Sequence, residues 1–591
     1  MICWGEKNSC GIFIDQIATD RCDCLRDYCI RDYPPAQRIT VKNHHLNDVI
    51  HNIFEKQEIN RLELSNFLAI KSIPHDLEYD ALNKQAMDRL AQRLTELHFD
   101  VEIADVATKD ENQPSHYMIF ANYFSTPTKN VMLIYGAMDV PAVHSSDPWK
   151  YPPFTLTEEG ENLYGHGLTT SKGPMVCWIQ AIDAWITRTN DLPVNVKLIV
   201  TSNSDETPGN LRELFQRRAK FFRAVDVVVS ATNLWIVDNV PMLTTCHSGY
   251  VHFELEVRAK YRKANDPCPR QYCSCGVHRE PMTDLCMLLN TLTDSNGNIR
   301  VKGLERHVLP VTQHDWDIFD LVDVGIQDCK LRTGATRLLH EESHPEFLKH
   351  RWCMPHLSIH TVDYNCSVSL RDFRAPVSTR ARFSIKLVPE QSVRYAKHLI
   401  KDHLDTAYRR LQCKNRATLR VIDQLEPTRG TRDSSFNQAA YRAYKRTYNV
   451  SAAIPDSVSA CMPIINELRR NCSENVQVVG LPFCSIRMQP HQVNESCTKQ
   501  EYERNCELFA TFLFEVACTP PYCKCTEIAD FCYEKGRSTD KDFIHMMAPK
   551  VLNTHVLYEI DEMEIDRTGD FNKTIPDIKQ ILLGKRTSIQ T

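Results

Sequence analysis

The segment from Val131 to Ala181, VMLIYGAMDVPAVHSSDPWKYPPFTLTEEGENLYGHGLTTSKGPMVCWIQA, restricts the fold more than any other part of the chain. An apolar run, Val131 to Tyr135, reads as a buried strand. It breaks at Gly136 to Asp139, loops through Pro141 to Gly167, and gives way to a helical pattern at Lys172. Strand, loop, glycine-flanked turn and helix is how an open α/β sheet presents side chains at the carboxyl edge of its strands, where such sheets usually bind ligands.

The flanking sequence repeats that alternation. Leu46, Val49, Ile50, Ile53 and Phe54 share one helical face, and Leu82, Ala86, Met87, Leu90, Leu94 and Leu97 form a second. Strand-like runs follow at Val101 to Val106, Tyr117 to Phe124, Val196 to Thr201 and Val227 to Ser230, with a helical run from Leu211 between the last two. The pattern predicts a mostly parallel sheet flanked by helices. Near Ser248 the texture changes to strands at Val251 to Val257 and Phe383 to Val388, with helices at Met282 to Leu292 and Gln391 to Leu404. The expected organisation is an N-terminal extension, 1–45, a main domain, 46–247 and 426–518, an inserted α+β lid, 248–425, and a polar C-terminal extension, 519–591.

At 591 residues and 42% hydrophobic content, the chain can bury a large core. A net charge of −5 with both signs interspersed leaves no basic face for nucleic acid or an anionic membrane. No apolar run approaches the roughly 18 residues of a membrane span, and Met1 to Pro35 lacks the order of a signal peptide. A cytoplasmic location is therefore expected, and with it thiols rather than a disulfide framework for the 24 cysteines. Phosphate-loop spacing and a Gly-x-Ser-x-Gly elbow are both absent.

Several letters of the central segment carry a resemblance. Gly136-Ala137-Met138-Asp139-Val140, Trp149, Pro153-Phe154, Leu163-Tyr164-Gly165-His166-Gly167 and Thr169-Thr170-Ser171-Lys172-Gly173-Pro174 resemble the core of the carnosine dipeptidase and cytosolic non-specific dipeptidase family, two-zinc exopeptidases. Further matches at Thr283-Asp284, Gly297-Asn298-Ile299, Leu357-Ser358, His360 and Phe383 to Pro389 resemble that family's lid. The likeness covers roughly Leu46 to Cys518 and implies a zinc-exopeptidase-like α/β fold with a lid that dimerises.

The resemblance also implies where metals should bind, and there this chain departs from it. The first zinc-binding His of the family falls on Ala137, and the Asp that bridges both metals falls on Thr170. Another ligand Asp falls on Thr232. Asp139, which orients the missing His in the family, is kept, as is the last His ligand, His491 in His491-Gln492-Val493-Asn494-Glu495. The Glu-Glu pair of base and ligand falls on Ser204-Asp205 without a gap, or on Asp205-Glu206 with a slip of one residue. Asp139, Asp205 and Glu206 are thus the vestigial catalytic candidates, with His491 and Asp205 the vestigial metal candidates.

Substrate-contacting positions have changed as well. The Arg that grips the substrate carboxylate becomes Lys386, which keeps the charge and loses the bidentate fork. The lid His falls on Arg270 or Cys268, depending on the register, and the Gly-Gly-Ser clamp becomes Ser459-Ala460-Cys461. A literal His247-Ser248-Gly249 lies in the strand entering the lid and is read as coincidence. A two-metal hydrolase shares a carboxylate between cations and activates a water. No neutral hydroxyl at 170 replaces that group.

The expected function is therefore that of a catalytically inactive dipeptidase-like protein with a binding or partner-regulating role and no cofactor. The alternative is an active zinc or manganese dipeptidase using a rearranged or single-metal site, with His144 or His166 as new donors. Expected partners are a second copy through the lid, or an active relative in a heterodimer, with short peptides as ligands and neither nucleic acid nor membrane.

Overall fold

The structure is a computed structural model and describes residues 43–519 and 562–565, except 107–113, 127, 205–207, 231–233, 236–240, 242, 261–277, 323–325, 328–329, 331–333, 341–342, 365–375, 431, 451, 453, 455–458, 461–462, 473–475 and 486–487. Helices α1 (Asn43–Glu55), α2 (Gln57–Leu68) and α3 (Asp80–Glu96) open the described chain. Their buried positions recur three or four residues apart, as with Met87, Leu90 and Leu94, which is the mark of an amphipathic helix against a core.

Strands β1 (Asp100–Val106), β2 (His116–Tyr123) and β3 (Val131–Ala137) follow, then a small hairpin, β4 (Thr157–Glu159) and β5 (Asn162–Tyr164). Next come α4 (Lys172–Thr189), β6 (Asn195–Thr201), α5 (Pro208–Arg217) and β7 (Val227–Ser230). With β15 (Gln477–Gly480), which arrives much later in the chain, these strands make a six-stranded sheet in the order β1-β2-β6-β3-β7-β15. Pairings β6 to β3, β3 to β7 and β7 to β15 are parallel, and the two at the β1 end are antiparallel.

Every residue of β3, β6 and β7 is buried, as expected where helices cover both faces. Alternation still decides which core each side chain joins. Met132, Ile134, Val196, Leu198, Val227 and Val229 pack under α1, α2, α4 and two late helices, α10 (Ser435–Tyr448) and α12 (Lys499–Ala517). Leu133, Tyr135, Ile199 and Val228 face the opposite core with Phe215 and Phe222. At the N-terminus of α12 a capping box, Thr498 with Glu501, satisfies the first turn.

The remaining short strands stitch loops together: β8 (Leu234–Trp235) pairs with β16 (Cys484–Ser485), β9 (Cys246–His247) with β14 (Ser459–Ala460), and β17 (Ser496–Thr498) with β5. The lid sheet holds β10 (Gly249–Arg258), β11 (His356–Tyr364), β12 (Ser378–Leu387) and β13 (Arg416–Leu425), all antiparallel. One face packs on α6 (Pro281–Leu289) and α9 (Val393–Arg410) through Phe253, Leu255, Phe383 and Leu419. Glu254 and Glu256 point the other way into a row of arginines, with Arg382 3.3 Å from Glu254 and Arg420 3.4 Å from Glu256. Half-buried antiparallel strands of this kind should alternate, and β12 does so along its whole length.

The C-terminal extension yields one element that periodicity did not reveal. Strand β18 (Glu562–Ile565) pairs antiparallel with β13 and extends the lid sheet by one strand. Four residues are too few to show a period in sequence, and backbone pairing with an open sheet edge needs none. The expected N-terminal extension, 1–45, lies outside the described residues up to 42.

Candidate functional site

The carboxyl ends of β3 and β6 and the N-terminus of α4 meet at one corner of the main sheet. Ala137, the last residue of β3, pairs in register with Thr201 of β6 and is 3% exposed. Its methyl group offers no donor atom to a metal. Asp139, two residues on, is buried, and its Oδ2 accepts from Ser204 N at 3.0 Å and from Ser204 Oγ at 2.7 Å. The carboxylate therefore fastens the end of β6 to the end of β3. In the sequence Ser204 stands only as one register of the Glu-Glu pair. Asp205 and Glu206 themselves lie outside the described residues, as do Thr232, Arg270, Cys268 and Cys461.

Between β5 and α4 the chain makes a tight turn around Gly167, whose φ of +82° is a left-handed conformation that suits glycine. A Cβ there would lie 2.6 Å from Val140 Cγ1. Gly173 is needed for a different reason: its Cβ would sit 1.7 Å from Leu168 O, so only glycine lets α4 begin this close to the turn.

Glu495 holds the turn in place. Its side chain is fully buried and accepts from Gly167 N at 2.9 Å, Thr169 N at 2.6 Å, Thr169 Oγ1 at 2.6 Å and Thr170 Oγ1 at 3.2 Å. The backbone adds Gly165 N to Glu495 O at 3.2 Å. In the sequence Glu495 is only the last letter of the pattern that begins at His491. A Glu in a polar turn gives no sign of burial, and its four donors lie more than 320 residues earlier in the chain.

His491, four residues before Glu495 in the chain, has a φ of +59° and is exposed. His144 is also exposed. His166 is buried, with Nε2 2.9 Å from Pro141 O and its ring against Trp149 and Phe154, so it serves as packing in the loop. Among the described residues no three His, Cys, Asp or Glu side chains gather in a way that could hold a metal ion. The positions that the resemblance would load with metal do not suit a two-metal centre either: Ala137 has no donor and the Thr170 hydroxyl is bonded to Glu495.

Lys172 is a further buried ionisable group at this corner. It is 0% exposed and its Nζ donates to Ile70 O. Burial pushes its amine down to about 7, partly opposed by the nearby Asp139 carboxylate.

On the lid, Lys386 sits in β12 opposite His356 of β11 and Tyr250 of β10. Its Nζ donates to Arg351 O at 3.0 Å. The ring of His252 stacks 5.8 Å from that of His360, whose Nε2 lies 2.7 Å from Ser384 Oγ. Burial holds the His252 and His356 imidazoles below their usual range, and for His356 the Lys386 ammonium adds to the effect.

Comparison with known proteins bears on this geometry. Residues 133–515 match the model of peptidase family M20/M25/M40. The chain is 28% identical to the Beta-Ala-His dipeptidase of Rattus norvegicus over 434 residues, covering 72% of this chain and 86% of the relative. It is 26% identical to the Cys-Gly metallodipeptidase DUG1 of Candida albicans, covering 76% and 93%. Among solved structures, human carnosine dipeptidase 1 superposes with a TM-score of 0.64 at 28% identity, covering 80% of this chain and 98% of that one. A family match over more than half the chain, on a sheet and lid arranged as described, places this protein in the M20/M25/M40 peptidase family as a dipeptidase-like member.

Proposed function

We propose that this chain is a dipeptidase-type fold that no longer hydrolyses peptides and that binds a ligand or a partner instead. The observation that carries the reading is the hydrogen bond from Thr170 Oγ1 to Glu495 at 3.2 Å. Residue 170 is where the resemblance places the carboxylate shared by two metals, and here a neutral hydroxyl is turned into the buried wall of the turn. Ala137, buried in β3, and the Ser204 bonds to Asp139 support the same reading, because the group that should orient a ligand now ties two strands together.

What the corner retains is a rigid turn, and what the lid retains is a polar face with Lys386, His252 and His360. Such a face suits a short peptide or another anionic chain end, which an ammonium attracts as a point charge. Assembly as a dimer through the lid, with a second copy or with an active relative, belongs to the same proposal.

The test is elemental mass spectrometry of protein purified without chelator, together with a dipeptide panel assayed after addition of zinc or manganese. No turnover in a folded protein is the expected outcome. Turnover with about two metals per chain, the complement of a two-metal hydrolase, would overturn the proposal, and turnover with a single metal would favour a rearranged site. Light scattering on the same sample gives the oligomeric state.

A further inference from the structure

Helices α4 and α12 run side by side in the main core, and where they touch two cysteines meet. Cys506 Sγ lies 3.1 Å from Cys177 Sγ, with the two residues 329 positions apart in sequence. Both side chains are buried, at 1% and 0% exposed. A disulfide has its sulfurs roughly 2.05 Å apart, so about 1 Å of further approach separates this contact from a bond.

The surroundings hold the two helices in this register. Trp178, next to Cys177, stacks on Phe509 with ring centroids 4.2 Å apart and planes 9° apart. Trp185 Nε1 donates to Ala510 O at 3.1 Å, and Tyr502 OH donates to Gln180 Oε1 at 3.1 Å. Cys506 Sγ also lies 3.4 Å from Gln180 Oε1. Aromatic packing on one side and a hydrogen bond on the other leave the sulfurs facing each other.

We propose that Cys177 and Cys506 are a disulfide site that locks α12 onto α4 when the chain meets a disulfide oxidant. The reaction is thiol–disulfide exchange. One cysteine thiolate attacks a small-molecule or protein disulfide, releasing one thiol and forming a mixed disulfide. The other cysteine then displaces the second thiol and forms the Cys177–Cys506 bond. Two thiols of the chain lose two electrons and two protons, and the oxidant is reduced to two thiols. In the folded chain the reaction is slow, since burial raises the Cys177 thiol well above its usual range and excludes the oxidant. The bond is made before α12 docks or during local opening.

Its consequence reaches the functional corner. α4 starts at Lys172, directly after the turn that Glu495 holds, and α12 starts four residues after Glu495. A covalent tie between these helices therefore braces both sides of the turn. The inference is independent of whether the protein hydrolyses peptides.

The experiment uses the full chain. Fully reduced protein is unfolded, refolded with glutathione disulfide, blocked with N-ethylmaleimide in denaturant, digested without reduction and mapped by mass spectrometry. The expected result is a peptide pair joined through Cys177 and Cys506, lighter than the reduced pair by two hydrogens. Its melting midpoint should lie above that of the reduced protein by on the order of 5 °C, a shift lost in Cys506→Ser. Maleimide on both cysteines after the oxidising treatment would overturn the proposal. So would a bond from either one to Cys497, which is also buried nearby. Because the mapping is done on the unaltered sequence, a variant that fails to fold leaves the result intact.

Discussion

The turn sealed by Glu495 and the lid face around Lys386 stand at positions where the family resemblance expects contact with metal or substrate, yet they have opposite physical characters. In the turn, a buried carboxylate accepts four hydrogen bonds from one short segment. At the lid, Lys386 donates to the backbone oxygen of Arg351 beside imidazoles that are half-buried or exposed. Lost catalytic letters have been absorbed into packing at the first place, whereas at the second the polar groups still face outward. The polar groups of the corner therefore hold the fold together, whereas those of the lid are at least partly exposed.

The comparison breaks most directly at Glu495. Glu495→Ala leaves Gly167 N and Thr169 N buried without an acceptor, each worth about 1–3 kcal/mol. The expected loss is on the order of 3–5 kcal/mol in urea unfolding. A loss below about 1 kcal/mol, the scale of an ordinary surface change, would mean that the turn is not held by this carboxylate.

Lys172 sharpens the comparison through pH. Its folded amine titrates near 7 and the unfolded one near the ordinary 10.5. Below pH 7 both are protonated, and the penalty for burying the charge is fully felt. Between about 7 and 10.5 the unfolded chain holds a proton that the folded chain has released, so stability rises with pH across that window and levels off above it. The rise should be roughly 2–4 kcal/mol, and Lys172→Met should remove it. Denaturant midpoints taken at pH 7, 8.5 and 10 would settle this, and equal slopes in the two proteins would refute it.

Thr170→Asp is the third test, because it restores the family letter. Here the new carboxyl group meets Glu495, and the expected effect is a destabilisation of about 1–3 kcal/mol with no gain in zinc affinity by calorimetry. Tight zinc binding in that variant would show that the remaining donors still converge.

Lys386→Ala should have the smallest effect, within about 0.5 kcal/mol on stability. Its readable consequence is local. With the ammonium gone, the His356 imidazole should titrate at higher pH, followed by its ring proton resonances in NMR. An unchanged titration would detach Lys386 from that cluster.

Much of the scaffold was readable from residue order. The apolar runs at Val131 and Val196 are strands buried on both faces, and such runs are contiguous in sequence, so no distant contact is needed to recognise them. The mostly parallel character of the sheet followed from strands alternating with helices. The two antiparallel pairings at the β1 end did not, because strand direction at a sheet edge depends on how the connection folds back. The changes at Ala137 and Thr170 were equally readable, since a missing donor is a property of the residue itself.

The chain's sequence by itself determined the fold family, the succession of strands and helices, and the replacement of ligand residues at 137 and 170. Each is local, written in side-chain type and spacing. Only the tertiary structure decided what the replacements became: that Asp139 takes Ser204, that Thr170 turns to Glu495, that Lys172 is buried, and that Cys177 meets Cys506. Three of these join residues between 65 and 329 positions apart, and the fourth carries an amine to the carbonyl of Ile70, 102 residues earlier. Such contacts arise only when packing closes the chain on itself, and burial then sets how strongly each group holds its proton.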